Sequence, residues 1–375
     1  MSLSDYIDLV TTTGPAFFTS ADEVVNEMVK HNYLLSYVLR GNDAKTMIQG
    51  GDEIQDIILL DDAGEFQFYG TNPTFTPQNK QVSTLHKAYW RFSKFNYTVS
   101  DPETVLQSGD GSGDRAVFQK YKNLQRLKEQ AAWTGGLNGM EDALTYTAPV
   151  TGDMEAQSGT QPYNLFAFIS EDATNYHPSG WTTIENIDPA TETRWRNQRS
   201  TYDDTIPLDA TSGIFAAFDE MIEKVRFKAP GKKGEFFEPD TTTAKMKILT
   251  SLQGKTIYKR ALRAANDRLV GGSSPQDPNY SNPKYDGIDV EYIDNLSTAP
   301  VYTSAAEAAN EPRYYFVNFN YIKAFFHRKK FFAQVAPPRS TSQPFSVTVY
   351  FDCYWNLFCR SRYRQGIIAP VSPAN

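Results

Sequence analysis

Gly254-Lys255-Thr256 is the arrangement in the chain with the most obvious chemical promise. It follows a strand-like run ending near Ser251 and opens a helix-like run, as a phosphate-binding loop does. Such a loop cradles phosphates with the backbone amides of a glycine-rich turn, and needs a further glycine five residues before Gly254. That position is Leu249, so the sequence favours a plain helix start over a nucleotide site. Gly109-Asp-Gly-Ser-Gly-Asp-Arg115 offers alternating oxygen ligands at Asp110, Ser112 and Asp114. A calcium loop then requires glycine at its sixth position and glutamate at its twelfth. Arg115 and Tyr121 stand there, and the segment reads as a helix leader.

The four histidines, His31, His86, His177 and His327, are isolated, and neither HExxH nor CxxC occurs. A catalytic zinc site needs about three clustered ligands, so no metal or cofactor is expected. The G-x-S-x-G spacing of a nucleophile elbow is missing as well. Acidic pairs at Asp61-Asp62 and Asp203-Asp204 fall in expected turns, where solvated carboxylates are ordinary. Small basic patches lie at Lys228–Lys233 and Arg360–Arg364, with Arg328-Lys329-Lys330 between Phe325-Phe326 and Phe331-Phe332. They suit nucleic-acid contact, inter-subunit ion pairs or a solvated strand edge, and the last two are favoured. Cys353 and Cys359 are six residues apart. On one strand they would point the same way but lie about 20 Å apart at ~3.3 Å per residue, too far to bridge. Buried free thiols are expected, as in a reducing cytoplasm.

The bulk composition is near globular norms, with 40% hydrophobic and 22% charged residues. The chain has 375 residues, enough for a substantial core or more than one. Its net charge of −7 argues against a protein that grips nucleic acid through a broad basic face, but not against one that encloses it. Aromatic residues reach 14%, nearly all Tyr and Phe. That suits a large β-rich protein or one with extensive interfaces. The opening Met1–Gly14 has no basic leader followed by an apolar run, so no signal peptide is expected. No run approaches the roughly 20 apolar residues of a membrane helix.

The elements that would position these residues follow from periodicity. Val24, Val25, Met28, Val29, Leu34, Leu35, Val38 and Leu39 recur at helical spacing, so 20–40 reads as a helix behind a terminal arm. Ile54, Ile57, Ile58 and Leu60 begin a strand, and 84–99 alternates as its return. Between them lies a Gly-, Pro-, Asn- and Thr-bearing tip. A hairpin so long cannot bury itself and needs a surface to lie on. Ser100-Asp101-Pro102-Glu103 marks a helix start. The clearest long helix runs from Asp114 to about Trp133, with Gly135-Gly136 breaking or bending it. Leu165-Phe166-Ala167-Phe168-Ile169 reads as a short strand, 212–226 as a helix, Lys247–Ser251 as a strand and 254–268 as a helix. Ile288, Val290 and Tyr292 alternate, and from 313 onward the chain is β-rich. The order is α+β.

That order resembles the major capsid proteins of tailed phages, with the Hong Kong 97-type fold that encapsulins share. The resemblance spans about 45–370. It is carried by Gly50-Gly51-Asp52-Glu53-Ile54 opening a hairpin, by Lys87–Arg91 running into Ser100–Glu103, and by the 114–133 helix. Gly180-Trp181, Trp195-Arg196-Asn197-Gln198 and the closing Asn356 to Arg364-Gln365-Gly366-Ile367 add to it. It implies an N-terminal arm and helix over 1–48, an extended hairpin loop over 49–100, and a peripheral domain over 101–205 with a spine helix at 114–133. An axial domain over 206–320 and closing peripheral strands over 321–375 complete it. It further implies a structural virion protein, made in the bacterial host cytoplasm, that assembles with itself into pentamers and hexamers of an icosahedral capsid. That shell encloses dsDNA without sequence-specific binding and without a membrane, alongside portal and scaffolding or decoration proteins. Phe66, Phe68, Tyr69, Phe75 and Lys80 in the hairpin are the expected inter-subunit contacts. No bonding partner is assigned to Lys80. The alternatives are an encapsulin-like compartment, a tail or baseplate component, and a nucleotide hydrolase built on Lys255.

Overall fold

The computed structural model describes residues 32–40, 45–60, 68, 83–100, 114–145, 151–203 (without 173, 175 and 179), 213–228, 238–239, 245–266, 283–298, 312–335 and 345–371. Along the chain these form α1 (Tyr33–Arg40), β1 (Lys45–Ile48), β2 (Glu53–Leu59), β3 (Ser83–Tyr89) and β4 (Arg91–Ser100), then α2 (Asp114–Thr145), α3 (Thr151–Met154), α4 (Leu165–Phe168) and β5 (Gln198–Tyr202). Next come α5 (Ile214–Val225), β6 (Phe227–Lys228), β7 (Glu238–Pro239), β8 (Met246–Thr250), α6 (Leu252–Asn266), β9 (Lys284–Tyr285), β10 (Ile288–Tyr292) and α7 (Asp294–Thr298). The remainder is β11 (Tyr314–Asn318), β12 (Ile322–His327), β13 (Ala333–Val335), β14 (Ser346–Cys359) and β15 (Gly366–Pro370). The mixture is α+β, as the sequence implies.

The chain divides into two compact units. In the larger, a six-stranded sheet runs β5-β15-β11-β8-β10-β9. Its β15–β5 and β10–β8 pairs are parallel, the rest antiparallel. The stripe Ile214, Ala217, Phe218, Met221, Ile222, Val225 of α5 packs with Tyr258, Ala261 and Leu262 of α6 against Ile248, Val290, Tyr314, Phe316 and Ile368 of the sheet. Three-to-four spacing on the helices and alternation on the strands give each element one apolar face, and these faces meet. In the same unit β1 pairs parallel with β12, β12 pairs antiparallel with the last part of β14, and β6 pairs with β7.

The smaller unit comprises 93–140 and 329–353 among the described residues. Here β4 and β13 both pair with β14. Tyr97, Val99, Val349 and Phe351 form its core, with Phe95, Ala132 and Trp133 packed on it. Cys353 and Cys359 both lie on β14 and are buried and unbonded, as expected for two thiols on one strand.

Several expectations need correcting. Leu165–Phe168 is a helical turn rather than a strand. The Asn164 carboxamide accepts from the Ala167 amide and caps it, and an apolar run with no polar alternation carries no period to reveal that. Gly135-Gly136 does not break α2, which runs on to Thr145. A Cβ on Gly136 would lie 2.5 Å from the Phe95 ring, so the residue permits close approach rather than a bend. The alternating stretch 84–99 is two strands, with Trp90 between β3 and β4. Arg362 and Arg364 are buried, so of the three arginines in the 360–364 patch only Arg360 lies at a solvated surface. The helix expected over 20–40 is described only from 33, and the helix after Ser100 and the Gly109–Gly113 leader lie outside the described residues.

Candidate functional site: an anchored hairpin with an apolar outer face

β2 and β3 pair antiparallel from Glu53↔Tyr89 through Ile57↔Leu85 to Leu59↔Ser83. Side chains alternate between two faces. On the outer face, near the root, Lys87 Nζ lies 3.6 Å from Glu53 and over the Tyr89 ring. Further out that face turns apolar, with Ile57 68%, Leu59 70% and Leu85 45% exposed. Ile57 and Leu85 are direct cross-strand partners, so this is a contiguous patch rather than scattered residues. Beyond β2, Phe68 is 93% exposed. Phe66, Tyr69, Phe75 and Lys80 lie outside the described residues.

The ribbon's inner face is held along its described length by the segment 163–197. Leu60 and half-buried Ile58 pack with Ile187 and the fully buried Trp195. Trp195 Nε1 donates to Ile184 O at 3.2 Å. His86 is not isolated: its Nδ1 lies 3.0 Å from Glu185 Oε2, both side chains being buried. The His86 ring stacks on Phe358 at 4.5 Å. The Lys87 amide donates to Glu185 O at 3.2 Å, and Asn356 Nδ2 donates to Tyr89 O at 2.7 Å. Where the ribbon enters, Gly51 takes φ +105° and its carbonyl accepts from Trp90 Nε1 at 2.9 Å. Where it leaves, buried Arg91 donates to the carbonyls of Met154, Ala156, Gln157 and Gly159 at 2.6–3.4 Å.

Burial raises the Glu185 carboxyl above the usual range, opposed by its hydrogen bond and charge interaction with His86, the Cys359 amide and the Arg362 charge. Arg362 stands under the same segment. It donates to Phe168 O, Trp195 O and Tyr176 O at 2.8, 3.0 and 2.7 Å, and burial lowers its pKa to about 10, leaving it cationic at neutral pH. The thiols offer no nucleophile: burial pushes Cys353 up to about 12 and Cys359 well above its ordinary value.

The other chemical candidates are occupied structurally. Lys255 Nζ is buried and bonded to Glu291 at 2.9 Å, across from β8 on β10, and a Cβ on Gly254 would collide with the Thr250 hydroxyl. A phosphate would have to displace that ion pair. Among the described residues no group of three His, Cys, Asp or Glu is placed to hold a metal. Among them, too, no helix is long and apolar enough to cross a membrane.

Sequence reasoning located the hairpin and the Trp195–Gln198 segment but missed Glu185, Arg91 and Arg362. His86 and Glu185 lie 99 positions apart, and no local pattern joins them. Arg362 carried a misleading signal, since a basic cluster reads as surface.

No protein-family model matches the sequence, and no curated protein matches it. Among solved structures, the cyanophage A-1(L) capsid asymmetric unit is similar at TM-score 0.59 and 14% identity, over 96% of this chain and 98% of that one. The capsid of an empty GTA particle is similar at TM-score 0.51 and 10% identity, over 92% and 98%. The chain thus has the fold of phage major capsid proteins, the α+β architecture of the Hong Kong 97 type.

Proposed function

We propose that this chain is the shell-forming subunit of a phage capsid, a structural protein without catalytic activity. The observation that carries the reading is the outward apolar face of a firmly rooted hairpin, Ile57, Leu59 and Leu85, on a chain that is similar to a phage capsid subunit over 96% of its length. A two-stranded ribbon with an exposed apolar face is marginal alone and is an invitation to pairing. A neighbouring copy supplies the cover. Repeated around a closed symmetry, one such heterologous contact builds rings of five and six and then a shell, and many weak contacts hold together by effective concentration. In this reading 49–100 reaches the neighbour, 206–320 gathers near the symmetry axes, and 101–205 with 321–375 forms the periphery. Phe66, Phe68, Tyr69, Phe75 and Lys80 contribute to the contact. The shell, built in the host cytoplasm with portal and scaffolding or decoration proteins, encloses dsDNA, consistent with a net charge of −7 that discourages adhesion to the contents.

The test is negative-stain electron microscopy of purified protein after size exclusion, with scaffold and crowding agents added if it runs small. Uniform angular shells or flat rings are expected. A chain lacking 62–82 should stay soluble and form none. Normal particles from that deletion sink the hairpin's role, and a subunit that never assembles sinks the capsid reading. Shells that exclude nucleic acid in cells and carry protein cargo would mark an encapsulin-like compartment.

A further inference from the structure

We infer that Glu185 is a positioning residue that fixes how the β2–β3 hairpin projects, and so where its apolar face meets a neighbour; the second half of this rests on the capsid reading above. The first clue is backbone conformation. Ile184 and Ile187 exchange hydrogen bonds of 2.8 and 3.1 Å around a two-residue turn. Its central residues, Glu185 and Asn186, have φ +53° and +69°. A turn with both central residues left-handed is favoured by Asn-Gly or Gly-Gly. Asn186, at the second position, is a residue that tolerates the left-handed region. Glutamate, at the first, does not fit the preference, since a Cβ crowds the backbone in the left-handed region. Glycine would build this turn more easily, so the reason for glutamate lies in what its side chain touches.

The side chain ties together β3 and β14, which also meet through the His86–Phe358 stack and the Asn356–Tyr89 hydrogen bond. One carboxylate oxygen meets His86 Nδ1 on β3 at 3.0 Å. The other accepts from the Cys359 amide at the end of β14 at 2.9 Å. The main chain adds two links: Glu185 O accepts from Lys87 on β3, and its amide donates to the Tyr163 hydroxyl at 3.2 Å. One fully buried residue therefore joins the hairpin's return strand to the core strand and to the 163–187 segment. The apolar contacts of Ile58 and Leu60 with Trp195 and Ile187 can slide, because dispersion is non-directional. Hydrogen bonds to two oxygens of one carboxylate cannot, so they set the angle that the apolar contacts merely stabilise.

The decisive measurement is amide hydrogen exchange on unassembled subunits of wild type, Glu185→Ala, Glu185→Gln and His86→Phe. His86→Phe keeps a ring against Phe358 and removes only the Nδ1 contact, so it serves if Glu185→Ala does not fold. The positioning role predicts at least a tenfold loss of protection in 53–59 and 83–89, with 246–250 and 314–318 unchanged. It predicts partial rescue in Glu185→Gln, whose amide oxygen can still accept from Cys359. Where wild type forms uniform shells, the variants should give few or irregular ones. Unchanged hairpin protection overturns the inference, and so does an equal loss across all four strands, which marks Glu185 as an ordinary core residue. If wild type never assembles, the capsid reading fails, while the exchange pattern still decides the role of Glu185.

Discussion

Gly135 and Gly136 are neighbours in α2, yet alanine at each should move stability in opposite directions. Alanine is favoured over glycine within a helix by about 1 kcal/mol. At Gly135, exposed and with nothing within 4 Å of where a Cβ would stand, that gain should appear undiminished. At Gly136 the new Cβ would stand 2.5, 2.7 and 2.9 Å from three atoms of the Phe95 ring. The ring has little room to retreat, with Trp133 and Phe351 each at a centroid distance of 5.0 Å and Phe332 at 6.1 Å. Overpacking of that kind costs about 1–3 kcal/mol, which outweighs the helical gain and leaves a net loss of about 1 kcal/mol. The two variants should therefore differ by about 2 kcal/mol. Urea titration followed by tryptophan fluorescence suits the question, because Trp133 touches the ring that must move. If Gly136→Ala is as stabilising as Gly135→Ala, close approach to Phe95 is not why glycine stands there.

Two further outcomes follow from buried charge. Arg362→Met should destabilise by about 3–5 kcal/mol, because it strips the donor from two buried carbonyls and a part-buried third at once, and Arg362→Lys should recover only part; denaturant midpoints or soluble yield report it, and a midpoint near wild type would refute the assignment. Glu141 accepts from the Leu34 and Leu35 amides at the start of α1, at 3.3 and 2.7 Å, and burial pushes its carboxyl from 4.5 up to about 7. The folded chain holds that proton more tightly than the unfolded one. Its contribution is thus fully present below about 4.5 and lost as pH rises to about 7, a swing of about 3 kcal/mol. Glu155 is pushed up to about 7 as well, so the informative quantity is wild type minus Glu141→Gln across that window. A difference that does not change with pH refutes the assignment.

Where the sequence spoke clearly, a short-range pattern carried the message. The stripe from Ile214 to Val225 and the alternation of Ile288, Val290 and Tyr292 each fall inside one element, so the period reports the buried face directly. The hairpin was legible because each of its strands alternates between a covered and an open face. What stayed hidden depends on tertiary partners. Gly136 reads as a helix breaker until Phe95 is seen against it. Arg360–Arg364 reads as a basic surface until the carbonyls of 168, 176 and 195 converge on Arg362. Glu185 was the least legible, since a glutamate with positive φ has no sequence signature.

The distribution of polarity around the hairpin is the reverse of what an independent domain needs. Arg91, Arg362, His86 and Glu185 are buried at its root, whereas Ile57, Leu59, Leu85 and Phe92 are 45–70% exposed on and beside it. Burying charged groups costs desolvation that only dense hydrogen bonding offsets, and it contributes orientation more than stability. Exposing aliphatic residues forgoes about 25 cal/mol for each Å² left in water. Neither choice helps a monomer. Both make sense if the ribbon must be held at one angle before its outer face is covered, because a cover supplied by another copy fits only if the ribbon already points correctly. A freely swinging hairpin would have to be ordered at each contact, which weakens every one of them. On this argument the polar root and the apolar face are two halves of one design, and altering the His86–Glu185 contact, rather than the fold-bearing Arg362, should damage assembly more than it damages the fold.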